Sequence, residues 1–250
     1  MITIRHEQQQ AFQQASLQRF EDEMVEHLKQ FAPKHCEVIG EPAVRNVIRL
    51  GMERAKQYGF TNRGPVRLYL ELMFMFGSFF DGDPQLPWVV EILNDRAKPD
   101  QMGRADRLHV RTMEYLNDVV GPNKEYYMEA LRRISRGRAE HFPVSGGDLE
   151  NAAVRALTTL YPQKCEYVGQ ARLRALIQGC VKDATEHGVS TLKGVSLFIV
   201  LAFTLGYGYA SDPQFPWIGA TLDDALVGDP TARVERLYKK ATAYLAGALA

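Results

Sequence analysis

The residues best suited to chemistry are scattered along the chain. Six histidines stand at His6, His27, His35, His109, His141 and His187. No two have the H-x-x-x-H spacing that would place a pair of imidazoles on one helix face, and none sits in a local cluster of cysteines or carboxylates. No metal and no cofactor are therefore expected. Cys36, Cys165 and Cys180 cannot all be bridged, which suits a reducing compartment. Cys36 and Cys165 lack a local His-plus-Asn signature for thiol chemistry and read as small packed hydrophobes. The sequence holds no G-x-S-x-G, no G-x-x-x-x-G-K-[ST] and no strand-borne G-x-G-x-x-G. Ser145-Gly146-Gly147 and Gly206-Tyr207-Gly208 mark turns or helix ends. Glu21, Asp22, Glu23 and Glu26 read as one solvated helix face. The expectation is a protein that is not an enzyme, unless residues distant in sequence converge.

One element occurs twice and is the sharpest signal. It reads Asp83-Pro84-Gln85-Leu86-Pro87-Trp88 and again Asp212-Pro213-Gln214-Phe215-Pro216-Trp217. Pro84 pushes Asp83 out of the α region. The Asp carboxylate can then accept a backbone N–H two residues on, as an Asx turn. Pro87 suits the first position of a helix, where its missing N–H costs nothing, and Trp88 would staple that helix to a core. The alternative is a partner-binding edge made by Asp81, Asp83, Gln85 and Trp88, since aromatics are favoured contact residues. The second occurrence, with Asp212, Pro213, Gln214, Pro216 and Trp217, reads as its structural repeat. The turn does not obviously require Gln85 or Gln214, so replacing either is expected to cost little stability.

The elements that carry these motifs also recur. Trp88 and Trp217 stand 129 positions apart, and the same offset pairs Cys36 with Cys165, Arg45 with Arg174, Gly59 with Gly188, Gly77 with Gly206 and Tyr115 with Tyr244. An ungapped match from about Glu21/Glu150 to Leu116/Leu245 reads as a tandem duplication. Apolar spacing predicts helices over 7–30, from Gly40 to Gly59, over 65–79, from Trp88 to about Asp95 and over 104–118. Phe12, Phe20, Met24, Leu28 and Phe31 line the first, and Leu108, Met113 and Leu116 turn inward on the last. The second copy predicts 148–160, 170–187, 194–207, 217–226 and 230–248. Strand signals are nearly absent, apart from Ile2–Ile4. The fold expected is all-α, with two helical bundle units of about five helices packed together. The first unit is 1–120 with its N-terminal helix, the connecting helix or linker is 121–147, and the second unit is 148–250.

Thirty Lys+Arg against thirty Asp+Glu leave no net charge, which disfavours a dedicated nucleic-acid binder. The connector gathers Arg132, Arg133, Arg136 and Arg138 behind Tyr126-Tyr127. This could offer a basic patch to RNA or an acidic partner, or it could be a solvated helix C-terminus, where cations complement the dipole. The apolar run Val195–Ala210 falls short of the roughly 20 residues that a bilayer requires. Its counterpart holds Arg67 and Glu71, so both read as central bundle helices. The opening MITIRHEQQQ does not read as a secretory signal, and a cytoplasmic protein is expected.

The residues Tyr58-Gly59-Phe60, Leu72-Met73-Phe74 with Gly77, and Phe80-Asp81-Gly82-Asp83-Pro84 running into Leu86-Pro87-Trp88 carry a resemblance. The first half resembles a group of small helical bacterial proteins encoded beside type VI secretion effectors, PAAR-type spike proteins and their chaperones. The second half follows more loosely, with Ala210 where Asp81 stood. The resemblance implies a cytoplasmic accessory role, an adaptor or co-chaperone that binds a secreted effector or its chaperone, and carries no catalytic residues. Two alternatives stand beside it: an immunity protein neutralising a cognate toxin, and a nucleic-acid-binding module. On the resemblance, the first copy keeps Asp81 and the more polar central helix, so partner defects are expected from 80–88 and stability defects from 209–217.

Overall fold

The protein is described from a computed structural model that covers residues 6–98, 100–136, 148–224 and 229–249. Ile2–Ile4, Arg138, His141 and Ser145-Gly146-Gly147 lie outside these residues. Among the described residues the chain is helical throughout, without a strand.

The first half opens with α1 (His6–Phe31), α2 (Pro33–Ile39), α3 (Glu41–Gln57) and α4 (Arg63–Phe76), and continues with α5 (Pro87–Leu93) and α6 (Gln101–Tyr115). A π-helical turn, Leu116–Val120, extends α6 and leads into the connecting helix α7 (Glu125–Arg136). The second half holds α8 (Leu149–Leu160), α9 (Pro162–Val168), α10 (Gln170–Glu186), α11 (Leu192–Leu205), α12 (Pro216–Leu222) and α13 (Pro230–Leu249). The bounds of α2 to α5 recur unchanged 129 residues on, in α9 to α12.

Among the described residues each half thus has six α-helices where about five were expected. The addition is α2 or α9, a seven-residue helix that follows Pro33 or Pro162. Proline here opens a helix, because its fixed φ and absent N–H suit the first turn. Gly40 and Gly169, at φ 79° and 80°, close these helices and set the chain into α3 and α10. Gly59 ends α3 as anticipated, with φ 71° and Phe60 N–H reaching back to Ala55 O at 3.0 Å.

One hydrophobic core runs through both halves, from Phe20 on α1 to Ala241 on α13. α4 and α11 lie at its centre, and Tyr69, Leu70, Met73, Phe198, Ile199 and Phe203 are fully buried. The two helices differ where α7 packs. On the second half, Leu131 and Ile134 of α7 join Leu245 against Leu160 and Val200, so α11 is apolar there. On the first half the residue equivalent to Val200 is Glu71, which is bonded to His27 at 2.7 Å and Arg67 at 2.9 Å. This accounts for the polar edge of the first central helix. The connecting arginines Arg132, Arg133 and Arg136 lie exposed near the end of α7.

Three inward assignments change: Phe12, Phe31, which is 41% exposed at the end of α1, and Met113. Phe12 is 70% exposed because α1, at 26 residues, runs well past the body that its counterpart α8 matches with 12. Met113 is exposed because the buried face of α6 is Leu108, Thr112 and Tyr115. Along α6, Met113 sits about 100° from Thr112.

Candidate functional site

The repeated DPQ-x-PW elements meet at the seam between the halves. Asp83 follows a short 3₁₀ turn (Phe80–Gly82) in an extended conformation, φ −73° and ψ 120°, and Asp212 repeats this at −73° and 121°. Gln85 N–H donates to Asp83 Oδ1 at 2.8 Å, and Gln214 N–H to Asp212 Oδ1 at 2.8 Å. These are the Asx turns anticipated from the sequence. Pro87 and Pro216 stand at the starts of α5 and α12.

The remaining polar atoms cross to the other half. Tyr207 N–H donates to Asp83 Oδ2 at 2.9 Å, and Ser78 N–H donates to Asp212 Oδ2 at 2.7 Å. Ser78 and Tyr207 are equivalent positions, each one residue past the glycine that ends a central helix. Gln85 Nε2 donates to Ala202 O of α11 at 3.1 Å, while Gln214 Nε2 donates to Met73 O of α4 at 2.8 Å. Met73 and Ala202 are again equivalent. Each half therefore uses its Asp and Gln to bond backbone groups where the other half's central helix ends: the Ser78 and Tyr207 N–H groups have no other acceptor among the described residues, while Met73 O and Ala202 O also accept from Gly77 and Gly206 N–H.

The glycines allow this approach. Gly77 and Gly206 both have φ 96°, a left-handed conformation open to glycine. A Cβ at Gly77 would lie 2.6 Å from Leu205 O, and one at Gly206 would lie 2.2 Å from Phe76 O. The two backbones touch at the seam, with no space for a side chain.

Burial shifts the charged groups of this seam. Asp83 and Asp212 are pushed above the usual carboxylate range by burial, against the pull of the N–H groups that they accept. His35 of α2 donates from Nε2 to Gln214 Oε1 at 3.1 Å, with its ring edge-on to Phe74 at 5.6 Å. Burial lowers its pKa, opposed by Gln214 and Asp212. The equivalent of His35 is Lys164, whose Nζ donates to Phe203 O at 2.5 Å and sits 4.7 Å over the Phe203 ring. Burial pulls this amine down to about 8, with Asp83 drawing it the other way. Gln85 Oε1 has no hydrogen-bond partner among the described residues, whereas His35 satisfies the matching oxygen of Gln214.

Asp81 serves the same seam at one remove. It accepts from Arg54 Nη2 at 2.5 Å and from the Tyr69 hydroxyl at 2.7 Å. Arg54 lies 5.0 Å over the Phe79 ring, and that ring packs against Gly208 of the second half, whose Cβ would lie 2.7 Å from Phe79 Cδ2. In the second half Ala210 and Asp183 replace Asp81 and Arg54, and this ion pair is missing there.

Asp81, Asp83, Gln85 and Trp88 are each at most 5% exposed. None of them forms an exposed edge: Asp83 and Gln85 bond backbone groups of the second half, Asp81 bonds Arg54 and Tyr69 of its own half, and Trp88 packs against Phe76. The glutamines thought dispensable are as buried as the aspartates. Of the two tryptophans, expected to be buried alike, only Trp217 departs from expectation. Trp88 lies beside the Tyr167 hydroxyl and is buried, while Trp217 leans on Tyr244 at 5.8 Å and is half-buried. The counterpart of Tyr167 is the smaller, exposed Val38. In the second occurrence Asp212 accepts Gln214 N–H, Gln214 reaches Met73 O, and Pro216 opens α12. The reach to Ser78, Tyr207, Met73 and Ala202 left no sequence signal, because it is made chiefly to backbone groups, with the Ser78 hydroxyl also donating to Asp212 Oδ1 at 2.6 Å.

Among the described residues no group of three or more His, Cys, Asp or Glu is placed to hold a metal. Two open clefts of about 540 Å³ lie against α7 and along the overhanging part of α1. In the first, Arg132 and Arg133 are already paired with Glu129. No described helix is long and apolar enough to cross a membrane.

Architecture alone defines the class: an all-helical chain whose two halves are tied by reciprocal, buried polar contacts. Comparison with protein-family models, curated proteins and solved structures gives no match.

Proposed function

We propose that the chain is a tandem duplication fused into one rigid binding body, and that it acts as a non-enzymatic cytoplasmic adaptor or co-chaperone for a type VI secretion effector or that effector's chaperone. The observation that carries this reading is the distribution of exposed apolar side chains. Phe12 and Leu17 on α1, and Met102, Val110 and Met113 on α6, are all at least 47% exposed. Large apolar groups on helices suit contact with another protein. The motif that looked most like a contact edge is engaged internally, which moves the proposed contact surface onto these helices. The sequence resemblance of the first half supplies the secretion setting.

The test is co-expression of this chain with the products of its neighbouring genes. The adaptor reading predicts a stable complex with an effector or chaperone, lost when Phe12 and Leu17 or Val110 and Met113 become Asp, and an effector that is unstable without the chain. If this chain alone protects cells from a toxin that is stable without it, the protein is an immunity protein instead. No complex with any neighbouring product at micromolar concentration refutes both.

A further inference from the structure

Among the described residues, positive φ at non-glycine positions occurs only at Asn123 (φ 49°) and Lys124 (φ 65°), in the turn that leads into α7. Asparagine tolerates the left-handed region, but lysine is strained there because its Cβ crowds the following carbonyl. The strain thus sits where the chain turns to lay α7 on the second half. Just ahead of this turn the chain is firmly held. Val119 of the π turn is buried in the main core, and the Tyr161 hydroxyl donates to Val119 O at 2.7 Å. α7 itself is held lightly. Its buried side chains are Ala130, Leu131 and Ile134. Leu131 and Ile134 form with Leu245 a small cluster separate from the main core, packed against Leu160 and Val200. Among the described residues the side chains of α7 make one hydrogen bond to the rest of the chain, Arg133 Nη1 to Thr159 O at 3.4 Å. The ion pairs of Arg132 and Arg133 with Glu129 stay within the helix. On another side an open cleft of about 540 Å³ lies between α7 and Gln163 of α9.

We infer that α7 is a releasable strap, which lifts off the second half about the 121–124 turn while both halves stay folded. In its docked position it fills an apolar groove made by Leu160, Val200 and Leu245, with Leu131 and Ile134 as the seated side chains. The anchored π turn sets where the motion begins, because Val119 stays with the core. The strained turn favours release, because Lys124 leaves the left-handed region only when α7 changes direction. The separate apolar cluster lets α7 leave without opening the seam, whose cross-half hydrogen bonds involve none of its residues. Docked, α7 keeps the groove from solvent and from other chains; released, it bares that apolar surface. The strap does not depend on the adaptor role proposed above and is tested apart from it.

The test is amide hydrogen exchange of the full-length protein. The α7 amides should exchange at least about a hundredfold faster than those in the middle of α4 and α11, through a local opening rather than opening of the whole core. Lys124→Gly takes a positive φ freely and should slow α7 exchange by about fivefold. Lys124→Ala keeps the strain and should leave the rate near wild type. A double variant, Leu131→Asp with Ile134→Asp, should hold the strap open while α4 and α11 stay protected. In that variant a synthetic peptide of the α7 sequence, Glu125–Arg136, should shift the amides of Leu160, Val200 and Leu245 at about 1 mM, a weak-binding ceiling. Wild type, with its groove filled, should show a smaller shift at the same concentration. The proposal is overturned if α7 exchanges as slowly as α4 and α11, or if Lys124→Gly and Lys124→Ala behave alike. Loss of α4 and α11 protection in the double variant overturns it too, as does a groove there that ignores the peptide. The Lys124 comparison uses substitutions at an exposed position and decides the matter even if the double variant does not fold.

Discussion

Replacing Gln214 by alanine should damage the protein more than the same change at Gln85, although the two positions are equivalent in sequence. Gln214 Nε2 donates to Met73 O and to Ser78 Oγ at 3.1 Å, and its Oε1 accepts from His35. Met73 O keeps its bond from Gly77 N–H, and Ser78 keeps Asp212, so neither is orphaned by the change. His35 Nε2–H is orphaned, in a half-buried position. An unsatisfied buried donor costs about 1–3 kcal/mol, and each lost neutral bond about 0.5–1.5 kcal/mol. Counting the stranded donor once and the two bonds donated by Gln214, the sum is about 2–6 kcal/mol. Gln85→Ala removes the bonds to Ala202 O and Asp83 Oδ2, but its Oε1 had no partner, so no donor is stranded. Its cost should be about 1–3 kcal/mol. Urea denaturation gives the free energies, and melting temperatures should fall by about 2–4 °C for each kcal/mol at this chain length. The reasoning is refuted if both variants stay within about 0.5 kcal/mol of wild type, the range of ordinary surface substitutions, or if Gln85→Ala costs more than Gln214→Ala.

Other outcomes follow from the same seam. Gly77→Ala and Gly206→Ala should each cost about 3 kcal/mol or more by denaturation, combining left-handed strain with a clash against backbone. Lys164 titrates near 8 in the folded chain against an ordinary 10.5, so the unfolded state binds more protons between these values. The stability difference between wild type and Lys164→Met should therefore move in favour of wild type as pH rises from about 8 to 10.5. His35 is also lowered, so its contribution is present above its ordinary 6.5 and lost as pH falls below it. His35→Leu should accordingly show a shallower acid loss than wild type in paired melts. Trp88→Ala should cost about 3–5 kcal/mol as a buried aromatic, and the half-buried Trp217 less.

Much of this was readable in the residues, and the unread part has a definite cause. Helix positions follow from apolar spacing, and Gly59 and Pro87 punctuate the chain as their chemistry requires. The Asx turns at Asp83 and Asp212 are local, spanning two residues, so Asp-Pro-Gln was enough to see them. Pro33 misled because a proline after an apolar run reads equally as the end of one helix or the start of the next. The role of Gln85 and Gln214 was invisible because their acceptors are backbone carbonyls more than a hundred residues away, and a carbonyl has no side-chain signature. Gly77 and Gly206 carried the hint. Paired glycines at equivalent positions beside the motif mark a place where two backbones can meet.

The central claim is that the DPQ-x-PW elements hold the two halves together by reciprocal hydrogen bonds. Amide hydrogen exchange at Ser78 and Tyr207 tests it most directly. Both residues lie in turns outside any helix, and their N–H groups donate only across the seam, to Asp212 and Asp83. The account predicts that these two amides exchange as slowly as those in the middle of α4 and α11, through opening of the whole core. Exchange of either amide at the rate of an exposed loop, with the central helices still protected, would contradict it.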